Sequence, residues 1–168
     1  SSLTKESDNT GRKLKEVTIG NQTWHAENLN VTTFCNGDPI PQANTPEEWN
    51  EAADRGKPVC RVDTKTGCVY YNYHVIIDER GLAPEGWRIA GEEDWKALEK
   101  FCEDYKKEHG FKMGISSLLQ SKDTQGDEKS YDEFGFSAIS CGQISISGTY
   151  DEKSETRYCF KYKNNYSR

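Results

Sequence analysis

Glu16-Val-Thr-Ile-Gly-Asn-Gln-Thr-Trp-His25 is two β-prone runs on either side of a Gly-Asn pair. It reads as a hairpin in which Val17, Ile19 and Trp24 compete for the core face. After it the period of the sequence changes repeatedly. Asn44-Thr-Pro-Glu-Glu-Trp49 sets Thr45 as a helix N-cap, Pro46 at the first helical position and Glu48 as the reciprocal carboxylate of a capping box. A short helix should then run to Arg55 and stop at Gly56. The run Val69-Tyr-Tyr-Asn-Tyr-His-Val-Ile-Ile77 is dense in aromatic and β-branched residues. It is expected in the central sheet, as a strand buried on both faces or one turning into a loop. Gly91 then introduces Glu92, Glu93 and Asp94, carboxylates that complement the positive end of a helix dipole. Trp95, Leu98, Cys102 and Tyr105 recur at helical spacing until His109-Gly110 closes the clearest helix of the chain.

Beyond that helix, Ile115, Leu118 and Leu119 mark a shorter helical or irregular element, and residues 121–130 read as a charged, polar loop. Phe134 to Ile146 returns to period two, with Phe136, Ala138, Ile144 and Ile146 as its apolar set around Gly142. Arg157-Tyr-Cys-Phe-Lys-Tyr-Lys163 alternates similarly and should be a last strand. Hairpin, helix, strand, long helix and late strands in that order imply an α+β domain: a small twisted antiparallel sheet, two helices and extensive loops. A doubly wound sheet would need regular strand–helix alternation, which is missing.

The chain has 168 residues, which fits a polar tail over 1–15 and one domain over 16–168. It is 33% hydrophobic and 30% charged, enough for one core but a thin one. No apolar run approaches the ~18 residues that would span a bilayer. Lys plus Arg number 22 against 28 Asp plus Glu, a net charge of −6, the wrong sign for a nucleic-acid binder or for adhesion to anionic membranes. The start, Ser1 to Arg12, is polar and lacks the apolar stretch of a signal peptide, so it is read as the remnant of a trimmed linker.

Six cysteines lie at 35, 60, 68, 102, 141 and 159, with no Cys-x-x-Cys pair, and the histidines His25, His74 and His109 are scattered. Zinc-ribbon and thioredoxin chemistry therefore lack their local ligands. Disulfides are the leading reading and buried free thiols the alternative. Cys60 and Cys68 flank a polar stretch, Arg61 to Gly67, that a bridge could close. If bridges form, the compartment is an oxidising, exported one.

Three motifs carry a resemblance. Val17-Thr-Ile-Gly-Asn-Gln-Thr-Trp24 followed by Ala26-Glu-Asn-Leu29, then Gly81-Leu-Ala-Pro-Glu-Gly-Trp-Arg-Ile89 with Trp95, then Phe134-Gly-Phe-Ser-Ala138, resemble the Fibrobacter succinogenes major paralogous domain family. The resemblance implies an exported or cell-surface bacterial domain, often carried by lipoproteins. It also implies a fold similar to C-type lectins and formylglycine-generating enzymes, and no particular reaction. The chain departs from the family at His25, where Met is usual, and at Ala90-Gly91, where a Pro-Thr pair is usual. The family also continues to a closing strand ending in an Arg-Cys-like motif. Either Arg157 to Tyr162 serves as that strand, or the domain is shortened at its C-terminal end.

Candidate sites are weighed against structural roles. Trp24, Trp87 and Trp95 fall in framework motifs and are assigned to the core. Trp49, after an acidic cap, could be core or a half-exposed face for a sugar ring. Glu27 is the carboxylate least explained by solvation, with a hydrogen-bonded turn role as its structural reading. No Gly-x-Ser-x-Gly elbow is present, and nothing in the spacing of the acidic residues selects a glycosidase pair. Cys141 and Cys159 invite comparison with the late cysteine pair of formylglycine-generating enzymes, but the surrounding motif differs, which favours a structural role. Asp123, Asp127, Glu128, Asp132 and Glu133 gather hard oxygen ligands, a weak calcium candidate without calcium-loop spacing, and no other cofactor is indicated. The end of the chain, Tyr158, Tyr162, Asn164, Asn165, Tyr166, Ser167 and Arg168, has the composition of a paratope or of a frayed polar terminus. The paratope reading is similar to the variable ends of lectin-fold proteins diversified by retroelements.

The functional expectation is a non-enzymatic, secreted or cell-surface binding module that recognises a glycan or a protein surface. Trp49 and the Tyr/Asn-rich end would be its contacts, and the chain would be a monomer or a module of a larger surface protein. A carbohydrate-active hydrolase and a purely structural surface domain are the alternatives.

Overall fold

The computed structural model describes residues 11, 13–122 and 131–138, together with the backbone of 143–144, 150–151 and 161–163. Along the chain these form β1 (Glu16–Ile19), β2 (Gln22–His25), α1 (Pro46–Asp54), β3 (Cys60–Val62), β4 (Val69–Tyr71), α2 (Tyr73–Ile76) and β5 (Trp87–Ile89). Then come α3 (Glu92–His109), α4 (Ile115–Leu119), β6 (Gln143–Ile144), β7 (Tyr150–Asp151) and β8 (Lys161–Lys163). The fold is a small α+β arrangement of short antiparallel strand pairs with four helices among the described residues. It divides into two compact units: a sheet unit over 14–28, 86–139 and 158–168, and a loop unit over 1–13, 29–85 and 140–157.

The sheet unit carries an antiparallel sheet of order β1-β2-β8-β5. Its hairpin forms as the sequence predicts, pairing Val17 with Trp24 and Ile19 with Gln22. Gly20 turns it with φ +62, and a Cβ there would lie 2.8 Å from the Phe101 ring, so conformation and space both require glycine. Ile19, Trp24, Leu98, Cys102, Leu118, Phe136 and Ala138 form the core, with Val17, Trp95, Phe101 and Tyr105 packed against it. The helical stripe of α3 thus faces the sheet. Trp24, fully buried, meets Trp95 at 5.1 Å between ring centroids and Phe136 edge-on at 5.9 Å. On the opposite side of the hairpin pleat, buried His25 meets Trp87 edge-on at 6.1 Å. Leu14, which the sequence places in the tail, is buried, and the Ala26 N–H donates to the Lys15 carbonyl.

The N-terminus of α3 is fixed by charge. Asp94 accepts from the Gly91 N–H at 2.8 Å and pairs through both oxygens with the Arg88 guanidinium, while Gln22 Nε2 donates to its backbone carbonyl. The Arg88 hydrogen bonds hold the Asp94 carboxyl below its ordinary value against the opposing effect of burial. At the other end Gly110 closes the helix with φ +70, as the sequence requires.

The period-two expectation over Phe134 to Ala138 is corrected. Asp132 and Ser137 have positive φ, +45 and +54, and the Asp132 carboxylate accepts from both the Ser137 N–H and Oγ. This capped turn replaces a strand, although Phe136 and Ala138 are buried as their alternation suggests. β6 is only two residues long and pairs with β7. Of the last strand expected over Arg157 to Lys163, the described part is β8, an inner strand between β2 and β5.

In the loop unit α1 follows its sequence signals closely. Thr45 Oγ1 accepts from the Glu48 N–H, Pro46 opens the helix and Gly56 follows it with φ +66. The Glu48 carboxylate reaches back to the Asn44 N–H at 2.7 Å, one residue beyond the expected reciprocal partner. The Val69–Ile77 expectation is corrected. β4 ends at Tyr71 and pairs with β3 in a separate two-stranded ribbon, outside the four-stranded sheet. Asn72 causes the change: its Oδ1 accepts from the Val75 and Val59 N–H groups and its Nδ2 donates to the Lys57 carbonyl, so the chain turns into α2.

A bridge between Cys60 and Cys68 is not made, since Cys60 is a free, buried thiol. Hydrogen bonds close that loop instead. Asp63 accepts from the Lys65 N–H and the Thr66 hydroxyl, and its own backbone exchanges bonds with Cys68 and Gly67. Thr66 also holds the Asp63 carboxyl below its ordinary value.

Candidate functional site

Among the described residues, large hydrophobic side chains are exposed at the start of the short helix α2 and at its C-cap. Tyr73 is 68% and Ile77 55% exposed, while Val75 between them is buried. The two exposed residues are four apart, joined by the bond from the Ile77 N–H to the Tyr73 carbonyl, so they rise on one side of the turn. Anchorage comes from beneath: Asn72 ties the start of the helix to the segment of Lys57 and Val59. Tyr71 OH receives the Val31 N–H and donates toward the carbonyls of Leu29 and Val31, at 2.7 Å each.

Beside this rim lies an open depression of about 440 Å³, lined by Gly56, Pro58, His74, Ile77, Asp78, Glu79 and Arg80. Its base is an ionic clasp. Arg80 donates through Nε and Nη2 to the two oxygens of Asp78, at 2.8 and 2.9 Å, and through Nη1 to Asp38 at 3.3 Å. The guanidinium also lies 3.9 Å over the centre of the buried Phe34 ring. The hydrogen bonds from Arg80 lower the Asp78 carboxyl to about 2 and raise the guanidinium above its ordinary value. Asp78 is therefore an anion throughout the physiological range, and Arg80 is engaged on all three nitrogens. Glu79 is exposed at the lip, and His74 packs edge-on to the Tyr73 ring at 5.9 Å. The depression thus has an apolar rim beside a set of paired charges.

The residues singled out from sequence are dispersed. Trp49 is 9% exposed and packs with Ala43 and Val59, so it belongs to a small core and offers no open face. Tyr162 sits within β8, its backbone in register with Trp24 and Arg88 in the interior of the sheet, not on a free terminus. Tyr158, Asn164, Asn165, Tyr166, Ser167 and Arg168 lie outside the described residues. Of the calcium candidates, Asp132 is committed to the Ser137 turn, while Glu133 accepts from the Tyr105 hydroxyl. Asp123, Asp127 and Glu128 lie outside the described residues, as do Cys141 and Cys159. Among the described residues no group of three or more His, Cys, Asp or Glu side chains is placed to hold a metal ion. Glu27 is half-buried in the bend after β2.

Cys35 is an exposed free thiol whose Sγ lies 2.9 Å from the Ala83 carbonyl. Burial pushes the free thiols of Cys60 and Cys102 up to about 11. Cys68 is the described cysteine that is not a free thiol.

Sequence reasoning missed Tyr73, His74, Ile77 and the Asp78–Arg80 clasp. The available signal was Asn72, a helix N-cap residue inside an apparently continuous β run, followed by apolar side chains at i and i+4. No helix among the described residues is long and apolar enough to cross a membrane.

The Fibrobacter succinogenes major domain matches residues 17–167. No curated protein and no solved structure matches the chain. The stretches that first suggested the family are the β1–β2 hairpin with its following bend, the lead into β5 and α3, and the turn capped by Asp132. With the match spanning nearly its whole length, the chain belongs to the Fibrobacter succinogenes major domain family.

Proposed function

We propose that the protein is a non-enzymatic binding module of an exported or cell-surface bacterial protein, recognising a glycan or a protein surface through the rim of α2. The observation that carries this reading is the pair Tyr73 and Ile77, exposed on one side of a helix pinned from beneath. Exposed aromatic and branched side chains on a rigid support have the character of binding anchors, because little entropy is lost when they are covered. The Tyr/Asn-rich segment 158–168 is proposed, on composition, as a further contact region. A C-type-lectin-like architecture is proposed from the family resemblance. Export is proposed from the same resemblance and from the state of Cys68.

The test is a glycan array and a panel of purified surface proteins probed with the unreduced protein, with calcium and with chelator. Binding that Tyr73→Ala weakens about tenfold supports the reading. Binding that is indifferent to Tyr73 and Ile77 removes this surface from it, and turnover of an oligosaccharide would replace it with the hydrolase.

A further inference from the structure

The charges around the α2 depression point to one class of occupant. Among the described residues, one cation, Arg80, lines the depression; its guanidinium is shared between Asp78 and Asp38, and Glu79 lines the depression beside it. Lys57 follows Gly56 in sequence but lines the neighbouring hollow with Glu48, Glu51 and Arg55. Among the described residues the depression is thus left with more negative than positive charge, the exposed Glu79 included. Adjacent to it, the Tyr73 ring and the Ile77 side chain stand in solvent. An acidic lip beside an apolar, aromatic rim complements a surface that presents a Lys or Arg next to an aliphatic side chain. The cation would meet Glu79 and the face of Tyr73, and the aliphatic group would cover Ile77. A neutral sugar would use the ring and leave the charge unanswered. The whole chain carries a net charge of −6, which steers a basic partner toward it and repels an acidic one.

We infer that the α2 rim docks a basic, aliphatic-flanked segment of a partner protein. The inference rests on the binding-module reading and selects the protein branch of it.

The experiment is amide chemical-shift mapping of the full chain with three probes: a synthetic Lys/Leu peptide, a Glu/Leu peptide of the same length, and cellohexaose. The expected result is that the Lys/Leu peptide shifts the amides of Tyr73 to Arg80, that the other probes leave them in place, and that raising salt weakens the binding. Glu79→Lys and Tyr73→Ala should each weaken it about tenfold. Both side chains are exposed, and an unchanged melting temperature verifies that the variants are folded. Shifts at α2 produced by cellohexaose or the Glu/Leu peptide instead would overturn the basic-partner inference while supporting the binding-module reading. Shifts from the Lys/Leu peptide scattered over the acidic surface, or binding unaffected by both substitutions, would also overturn the inference. An α2 rim unmoved by every probe would count against the inference and the reading together.

Discussion

The two units hold their exposed segments in place differently. The sheet unit gathers Ile19, Trp24, Leu98, Phe136 and their neighbours into one apolar core under an 18-residue helix. Packing sets its geometry. The loop unit also buries Val31, Phe34, Ile40, Trp49, Val59 and Val75, but its turns are fixed by polar side chains that bind backbone: Asp63, Tyr71, Asn72 and Asp78. Side-chain hydrogen bonds can hold a short, irregular segment in place without burying its neighbours. That is how α2 presents Tyr73 and Ile77 to solvent on a fixed support.

This contrast can be broken most directly at Trp24. Trp24→Ala should cost about 3–5 kcal/mol in chemical denaturation, because it empties the centre of the sheet unit. A cost below about 1 kcal/mol would mean that the core is not organised as described. Asn72→Ala is the matching experiment in the loop unit. It strands the Val59 N–H and the Lys57 carbonyl and leaves the Val75 N–H with the residue-72 backbone carbonyl alone, for an expected loss of about 1–3 kcal/mol. Hydrogen exchange should show faster exchange at Val59 and Val75 than the same variant produces at Trp24 and Leu98. Equal acceleration everywhere would dissolve the distinction between packing-held and polar-held regions.

Acid should act on the Arg88–Asp94 tie. Asp94 is depressed in the folded state, so its contribution is complete above the unfolded carboxyl value, about 3.9, and is lost as pH falls through the lower folded value. Asp94→Asn should lower stability by about 1–2 kcal/mol at pH 7 and flatten the acid limb of a melting-temperature profile. The smallest structural effect belongs to thiol labelling under native conditions. Cys35 should react first and Cys60 and Cys102 only on unfolding, since both are buried with raised values. Denatured without reductant, the chain should label fewer than its six cysteines, because Cys68 is not a free thiol.

How far the sequence could be read follows the same division. In the sheet unit the hairpin at Gly20-Asn21 and the stripe of α3 were visible, because repeated apolar residues report on a shared face, while of the last strand expected over Arg157 to Lys163 the described part is Lys161–Lys163. Thr45-Pro46 located α1 through cap chemistry alone. The loop unit was misread where one polar residue outweighs a run of β-formers: Asn72 ended a strand that Val69 to Ile77 seemed to continue. The Cys60–Cys68 loop misled for a similar reason, since Asp63 and Thr66 close it without a bridge. The candidate site was hardly legible. Trp49 looked like a platform because a large aromatic followed an acidic cap, but it packs inward. Tyr73 and Ile77 looked buried because their neighbours are the residues of a core strand. The Arg80–Asp38 contact joins residues 42 apart, a pairing no local pattern announces.

The most direct test of the central claim, that a rigid α2 rim is held out for recognition, is the double variant Tyr73→Ala, Ile77→Ser, measured for melting temperature and for binding of the Lys/Leu peptide on the same sample. We predict a melting temperature within a few degrees of the unaltered chain, since both side chains are solvent-exposed, and loss of measurable binding. Retained binding, or a collapse of stability comparable to that of Asn72→Ala, would contradict the account.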